Sequence, residues 1–271
     1  MSLKTVVKDR VSSYPGRVKL TPVAGQTNTY DLVRADQPTE AGTPLTAALF
    51  NHKADVLTDN VNIYVSKSGN NSNADGTSAK PYSTIQAALD SIPKNLGGHL
   101  VYVHVGAGTY EEAVTFEYFD GGRVILTGAA GAAITIKGLM TIRKCVVNID
   151  GIALTMLNGY IYITECGLLN LVSSATLTCS GAVHAVYARY GSCACLLGVA
   201  TANNTTSSAF RSGENSTLYL YETKGTGNTL GLYAIGGIIY FRINDVEATT
   251  AYSTAHGGKI YNGAQTSTPK Y

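Results

Sequence analysis

Three five-residue segments repeat without gaps at a spacing of 21 residues: Ser216-Thr217-Leu218-Tyr219-Leu220, Gly237-Ile238-Ile239-Tyr240-Phe241 and Gly258-Lys259-Ile260-Tyr261-Asn262. The same step links Thr141-Ile142-Arg143-Lys144-Cys145 to Tyr162-Ile163-Thr164-Glu165-Cys166. A period near 20 with short strands and turns, and no helix in each repeat, predicts a β-solenoid. A leucine-rich repeat would show a Leu-x-x-Leu-x-Leu frame with Asn, and that frame is absent. Side chains alternate across a strand. Ile239, Phe241 and Ile243 are therefore expected inside, with Tyr240, Arg242 and Asn244 outside. Leu218 and Leu220 are likewise expected inside, with Tyr219 and Tyr221 outside. Matched residues of neighbouring rungs stack about 4.8 Å apart, which would set Cys145 over Cys166 and Lys144 over Glu165.

The expected fold is all-β: a right-handed parallel β-helix of about 21 residues per rung, with an N-terminal capping helix and a small N-terminal arm. The arm covers residues 1–60. It holds Pro15, Pro22, Pro38 and Pro44, and its short apolar segments, Val18-Lys19-Leu20 and Tyr30-Asp31-Leu32, are separated by turn residues. Pro44 to Lys53 has the spacing of a short helix. The β-helix domain covers 61–271 and opens with the alternating strand Val61 to Val65. A polar loop with the turn pair Asp75-Gly76 follows. A helix is then expected over about 83–92. Ser83 is its cap, with Gln86 reaching back in a capping box. Ile85, Ala88, Leu89 and Ile92 form the apolar face, and Pro93 stops it. An open solenoid end exposes unpaired backbone and core, so a lid at this point makes sense.

Only 14% of residues are charged, against roughly 25% in an ordinary globular chain, while 45% are hydrophobic and 29 are Gly. That suits a β-rich core and excludes a disordered chain. A net charge of +2 offers no basic patch for nucleic acid. No apolar run reaches the ~20 residues of a membrane span, and Met1 to Arg10 lack the apolar core of a signal peptide. The chain is expected to be made in the cytoplasm. The five cysteines (Cys145, Cys166, Cys179, Cys193, Cys195) read as small buried hydrophobes, not disulfides or zinc ligands. His52, His99, His104, His184 and His256 have no second His or Cys at metal spacing, and no metal or cofactor is expected.

The stretch Ile63-Tyr64-Val65-Ser66, Gly69-Asn70, Asp75-Gly76-Thr77-Ser78 and Pro81-Tyr82-Ser83-Thr84-Ile85-Gln86-Ala87-Ala88-Leu89 resembles the opening segment of pectate-lyase-like β-helices, which recurs in phage tail spikes and tail fibres. Arg17-Val18-Lys19-Leu20-Thr21-Pro22-Val23 and Gly42-Thr43-Pro44-Leu45 are similar to the start of prophage tail-appendage proteins of gut Firmicutes. The resemblance implies a virion tail protein, a homotrimer attached to the tail or baseplate through its arm, with a β-helix that meets a host surface glycan.

Enzymes of this shape hold calcium on clustered carboxylates, or cut glycans with paired Asp or Glu. Between Gly128 and Phe210 the only carboxylates are Asp150 and Glu165. Asp245 and Glu247 are the closest pair on one strand face, and read best as a solvated edge. No catalytic residue is assigned. A glycan lyase or hydrolase with a site between subunits is the alternative. The candidate ligand-binding or trimer-interface residues are Tyr162, Tyr187, Arg189, Tyr219, Tyr221, Tyr240, Arg242 and Tyr261. They share one strand phase and would form one stripe if stacked. Tyrosine suits sugar rings, and Tyr and Arg are also enriched at interfaces.

Overall fold

The computed structural model describes residues 11–12, 18–22, 24, 30–34, 38–40, 56–129 and 132–263. The chain divides into two compact units, Met1–Asp55 and Val56–Tyr271. In the first, Val18–Pro22 pairs antiparallel with Tyr30–Arg34, and Val11–Ser12 with Pro38–Glu40. The helix expected at Pro44 to Lys53 lies outside the described residues, as does Met1 to Arg10.

The second unit is a parallel β-solenoid of about seven turns, with almost no helix. Each turn lays down three strands, so the coil has three faces. Face 1 starts with Val61–Val65, Leu100–Val105, Arg123–Thr127, Val146–Ile149 and Leu168–Leu171. It continues through the first parts of Cys193–Asn203, Thr217–Ile235 and Ile238–Ala255, and ends on Lys259–Asn262. Face 2 stacks Gly108–Tyr110, Ala133–Ile136, Ala153–Leu157 and Thr176–Ser180 under the middle parts of the long strands. Face 3 stacks Val114–Glu117, Met140–Arg143, Ile161–Thr164, His184–Ala188 and Ser208–Gly213 under their last parts.

Parallel, in-register pairing puts like side chains on like, so the core consists of ladders. One runs Val101, Val124, Val147, Leu169, Ala194, Leu218, Ile239, Ile260 up the inside of face 1, and every member is buried. Each full-sized apolar member contributes about 1.5–3 kcal/mol by leaving water.

The register is not a uniform 21-residue rung. Tyr219, Tyr240 and Tyr261 pair at the expected step, and so do Thr141 and Tyr162. Elsewhere the step is 40 residues between the first two strands of face 1 (Val61 to Val101), and beyond them it ranges from about 20 (Thr135 to Thr155) to about 26 (Thr115 to Thr141). The corners absorb the difference. Lys144 takes one left-handed turn residue, but Glu165 and Cys166 take two in a row. Cys166 is therefore the extra residue. It is turned out to solvent, and Leu168 hydrogen-bonds to the Cys145 carbonyl. The expected Cys145–Cys166 stack does not form. Lys144 does meet Glu165, at 3.7 Å. All five cysteines are free. Cys145 and Cys179 are buried, Cys193 and Cys195 half-buried and Cys166 exposed, so the buried-hydrophobe reading fails at Cys166.

The inside–outside alternation also breaks at a corner. Ile239 and Phe241 face the core, but Ile243, expected inside, is 42% exposed. The chain turns from face 1 to face 2 there, and Asn244, expected outside, is half-buried and accepts from the hydroxyl of the buried Thr223 in the preceding rung.

Between the first two strands of face 1 lies a helix, Ile85–Asp90. Its apolar side is the expected one, with Ile85, Ala88 and Leu89 buried. Its cap is not Ser83 but Thr84, whose hydroxyl accepts from the Ala87 amide. Gln86 does not close a capping box. Its side chain accepts from the Thr115 amide at 2.7 Å and donates to Asp90. The Asp75-Gly76 turn is present, with Asp75 accepting from the Thr77 amide and hydroxyl. Among the described residues no helix is long and apolar enough to cross a membrane.

Candidate functional site

The eight candidate residues fall on two faces, not on one stripe. Tyr219, Tyr240 and Tyr261 occupy successive rungs of face 1, one register position apart from the core ladder. Their rings stack with centroids 5.1 Å apart and planes within 6° and 17°. Parallel strands force this spacing, which lies in the range of offset aromatic stacking. The same outward column runs from Asn62 through Tyr102, Ile125, Asn148, Asn170 and Cys195, and the Asn170 amide donates to the Asn148 side-chain oxygen at 3.0 Å.

Stacking leaves the middle ring with both faces covered. The ladder therefore offers solvent its ring edges and a row of phenol hydroxyls, and Tyr219 is 46% exposed. Beside it, where face 1 turns to face 2, the Arg242 guanidinium lies 4.7 Å over the Tyr221 ring and donates to its hydroxyl. Leu197, Tyr219, Tyr221, Tyr240, Arg242 and Gly263 border an open groove of about 190 Å³.

Tyr162 and Tyr187 pair on face 3, with ring centroids 5.6 Å apart. The column continues through Arg211 and Tyr233, two residues that the 21-residue frame does not align. Tyr187 is only 8% exposed, packed among Tyr162, His184 and the Arg211 guanidinium. Arg189 stands at the end of the same strand. It pairs with Glu214 at 3.0 Å and lies over the Tyr190 ring. His184 is buried, with Nδ1 at 2.9 Å from the Ser208 hydroxyl and Tyr160 edge-on at 5.6 Å. Burial, reinforced by the charge of Arg211, pushes its pKa down to about 4 although a Ser208 backbone bond opposes the shift.

A second concavity, about 530 Å³, lies at the first rungs of face 1. Its lining includes Tyr64, Ser66, Ser68, Ser78, Pro81 and His104. The His104 ring stacks on Tyr64 at 4.7 Å and bonds the Asn62 amide oxygen through Nε2. Half-burial lowers its pKa. His104 is thus a satisfied edge histidine, and sequence reasoning passed over the wall it forms because Asn62 and Tyr64 lie a long loop away from it.

Set beside known proteins, this chain has no match. No family model, no curated protein and no solved structure corresponds to it. What the site can do must follow from its geometry.

Carboxylates that approach one another do so around cations. Glu117 and Glu165 flank Arg143 at 3.7 and 3.3 Å, and Glu222 pairs with Lys224, which sits in register with Asp245. Asp245 and Glu247 are both exposed. Among the described residues no group of three or more His, Cys, Asp or Glu is placed to hold a metal ion. The arrangement is one of surfaces edged by phenol hydroxyl and guanidinium groups.

Proposed function

We propose that this chain is a structural, receptor-binding tail appendage of a phage or prophage that recognises a bacterial surface polysaccharide. In this reading it is a homotrimer, its solenoid winds to the right, residues 1–60 attach it to the tail or baseplate, and the helix Ile85–Asp90 caps the first turn. Right-handed crossovers are the rule for parallel strands. The capping role is supported by Gln86, which satisfies a backbone amide of the first face-3 strand. Association of copies is supported by exposed apolar side chains at Leu197, Ile243 and Tyr252.

The observation that carries glycan recognition is the Tyr219–Tyr240–Tyr261 ladder beside the Arg242 groove. A repeating polymer of hydroxylated rings presents hydrogen-bonding groups at regular intervals. Three phenols at one rung spacing, with apolar ring edges between them, complement such a chain without distortion on either side. The test is co-sedimentation of the protein with host cell-wall or capsular polysaccharide, together with its mass by light scattering. Three chains per particle, and binding weakened about tenfold in Tyr240→Ala, are expected; one hydrogen bond plus its packing carries that weight. A monomer would remove the appendage reading. Binding untouched by Tyr219→Ala, Tyr240→Ala and Tyr261→Ala would remove the ladder from it.

A further inference from the structure

On face 3, Arg211 is a cation without a counter-ion among the described residues. Its guanidinium carbon lies 4.5 Å from the centroid of Tyr187 and 5.3 Å from that of Tyr233, the rings above and below it in the column. Among the described residues its Nε is buried with no hydrogen-bond partner, as are those of Arg143 and Arg189, but those two arginines have carboxylate partners. Among the described residues Arg211 makes no ion pair. The neighbouring carboxylate, Glu214, is engaged by Arg189. Arg143, on the same face, shows the contrast, since it sits between Glu117 and Glu165. Among the described residues the local balance of Arg189, Arg211 and Glu214 is therefore one positive charge.

Ring faces stabilise a guanidinium by about 0.5–2 kcal/mol each. They do not replace the hydrogen bonds its N–H groups lose on partial burial, and an unpaired cation there is costly. Rings lie above and below the guanidinium carbon, so a partner reaches it through its N–H groups. A guanidinium pairs with the two oxygens of a carboxylate or phosphate bidentately, which an ammonium cannot do. The hydroxyls of Tyr160 and Tyr162 stand in the same patch, next to His184 and Tyr187.

We infer that Arg211, clamped between Tyr187 and Tyr233, is the anchor for the acidic group of an anionic glycan lying across face 3. The inference rests on the glycan-binding reading above, but it concerns a different face and a different chemistry. The shared feature is a paired-oxygen anion, which a uronic acid or a phosphodiester-linked polymer would supply.

The experiment is equilibrium binding of the full chain to three probes: polygalacturonate, poly(glycerol phosphate) and neutral dextran. Wild type is expected to bind at least one acidic probe more tightly than dextran, with affinity falling as salt rises. Arg211→Gln, which keeps a flat polar side chain between the rings, should weaken that binding about tenfold or more, the weight of one charge-assisted pair. Arg211→Lys should not restore it. Thermal melts of each variant confirm folding. The probe whose binding depends on Arg211 identifies the anion as carboxylate or phosphate. Unchanged affinity in Arg211→Gln overturns the assignment, as does a wild type that binds neither acidic probe. Dextran binding alone would leave the glycan reading standing while the anion site falls.

Discussion

At His184, an imidazole that is 4% exposed faces a guanidinium, and the protein holds it neutral. Its folded pKa is about 4 against an ordinary value of 6.5. Between those values the unfolded chain binds the proton and the folded chain does not, so stability falls as pH drops through that window. The expected loss is about 3 kcal/mol between pH 7 and pH 4, read as the difference in urea-unfolding free energy. His184→Asn should flatten the dependence in that range. An unchanged pH profile in the variant would show that another group titrates. The burial of His184 was not legible in the sequence, because Tyr160 and Arg211 reach it from 24 and 27 residues away, outside the 21-residue frame.

Single elements are tied down by side chains that the local pattern assigned elsewhere. Glu112 accepts from the amides of Ile85 and Gln86 at 2.8 and 2.9 Å, so a carboxylate from a neighbouring turn serves the helix N-terminus. Glu112→Ala is expected to lower stability by about 1–3 kcal/mol in denaturant unfolding. A change below the error of the measurement would mean that solvent serves the two amides equally well. The helix and its buried side were legible from the spacing of Ile85, Ala88 and Leu89. The role of Gln86 was not, since its partner Thr115 is brought close only by coiling. The turns between faces 2 and 3 carry a sharper constraint. A Cβ at Gly159 would stand 1.8 Å from the Gly138 carbonyl oxygen, whereas one at Gly151 would meet nothing within 4 Å. Gly159→Ala should therefore cost about 3 kcal/mol or more, through backbone displacement between rungs. Gly151→Ala should cost only about 1 kcal/mol, from its φ of +67°. Equal melting temperatures for the two variants would refute the close approach.

Across the whole solenoid unit, each turn contacts only its neighbours, so stability is a sum along the axis and the ends are its weak points. The first turn has a helix packed against it. At the other end, Ile238–Phe241 is covered by Lys259–Asn262, but among the described residues the later part of that strand pairs on one side only. Thr249 to Thr254 is correspondingly more exposed than the strands before it. Native-state hydrogen exchange is expected to be fastest there and slowest in the interior rungs around Leu169 and Leu171. Strong protection at Thr249 to Thr254 in solution would point to a partner covering that edge, as the trimer proposal allows.

Local repetition determines the architecture of this chain. Strands near 20 residues apart, each too short to bury its own apolar side, can hide it only by stacking, and that much is written in Leu218, Ile239 and Ile260. The tyrosine ladder of face 1 is equally local in origin, because its three residues lie in rungs of equal length. Tertiary structure decided what depends on unequal rungs and on corners. It separated Tyr162, Tyr187 and Arg189 from the other candidates by a face, and it turned Cys166 and Ile243 outward. It also brought Arg211 between Tyr187 and Tyr233. A corner inserts one or two residues at almost no cost to the strands it joins, so sequence spacing loses its phase there while the backbone pairing does not.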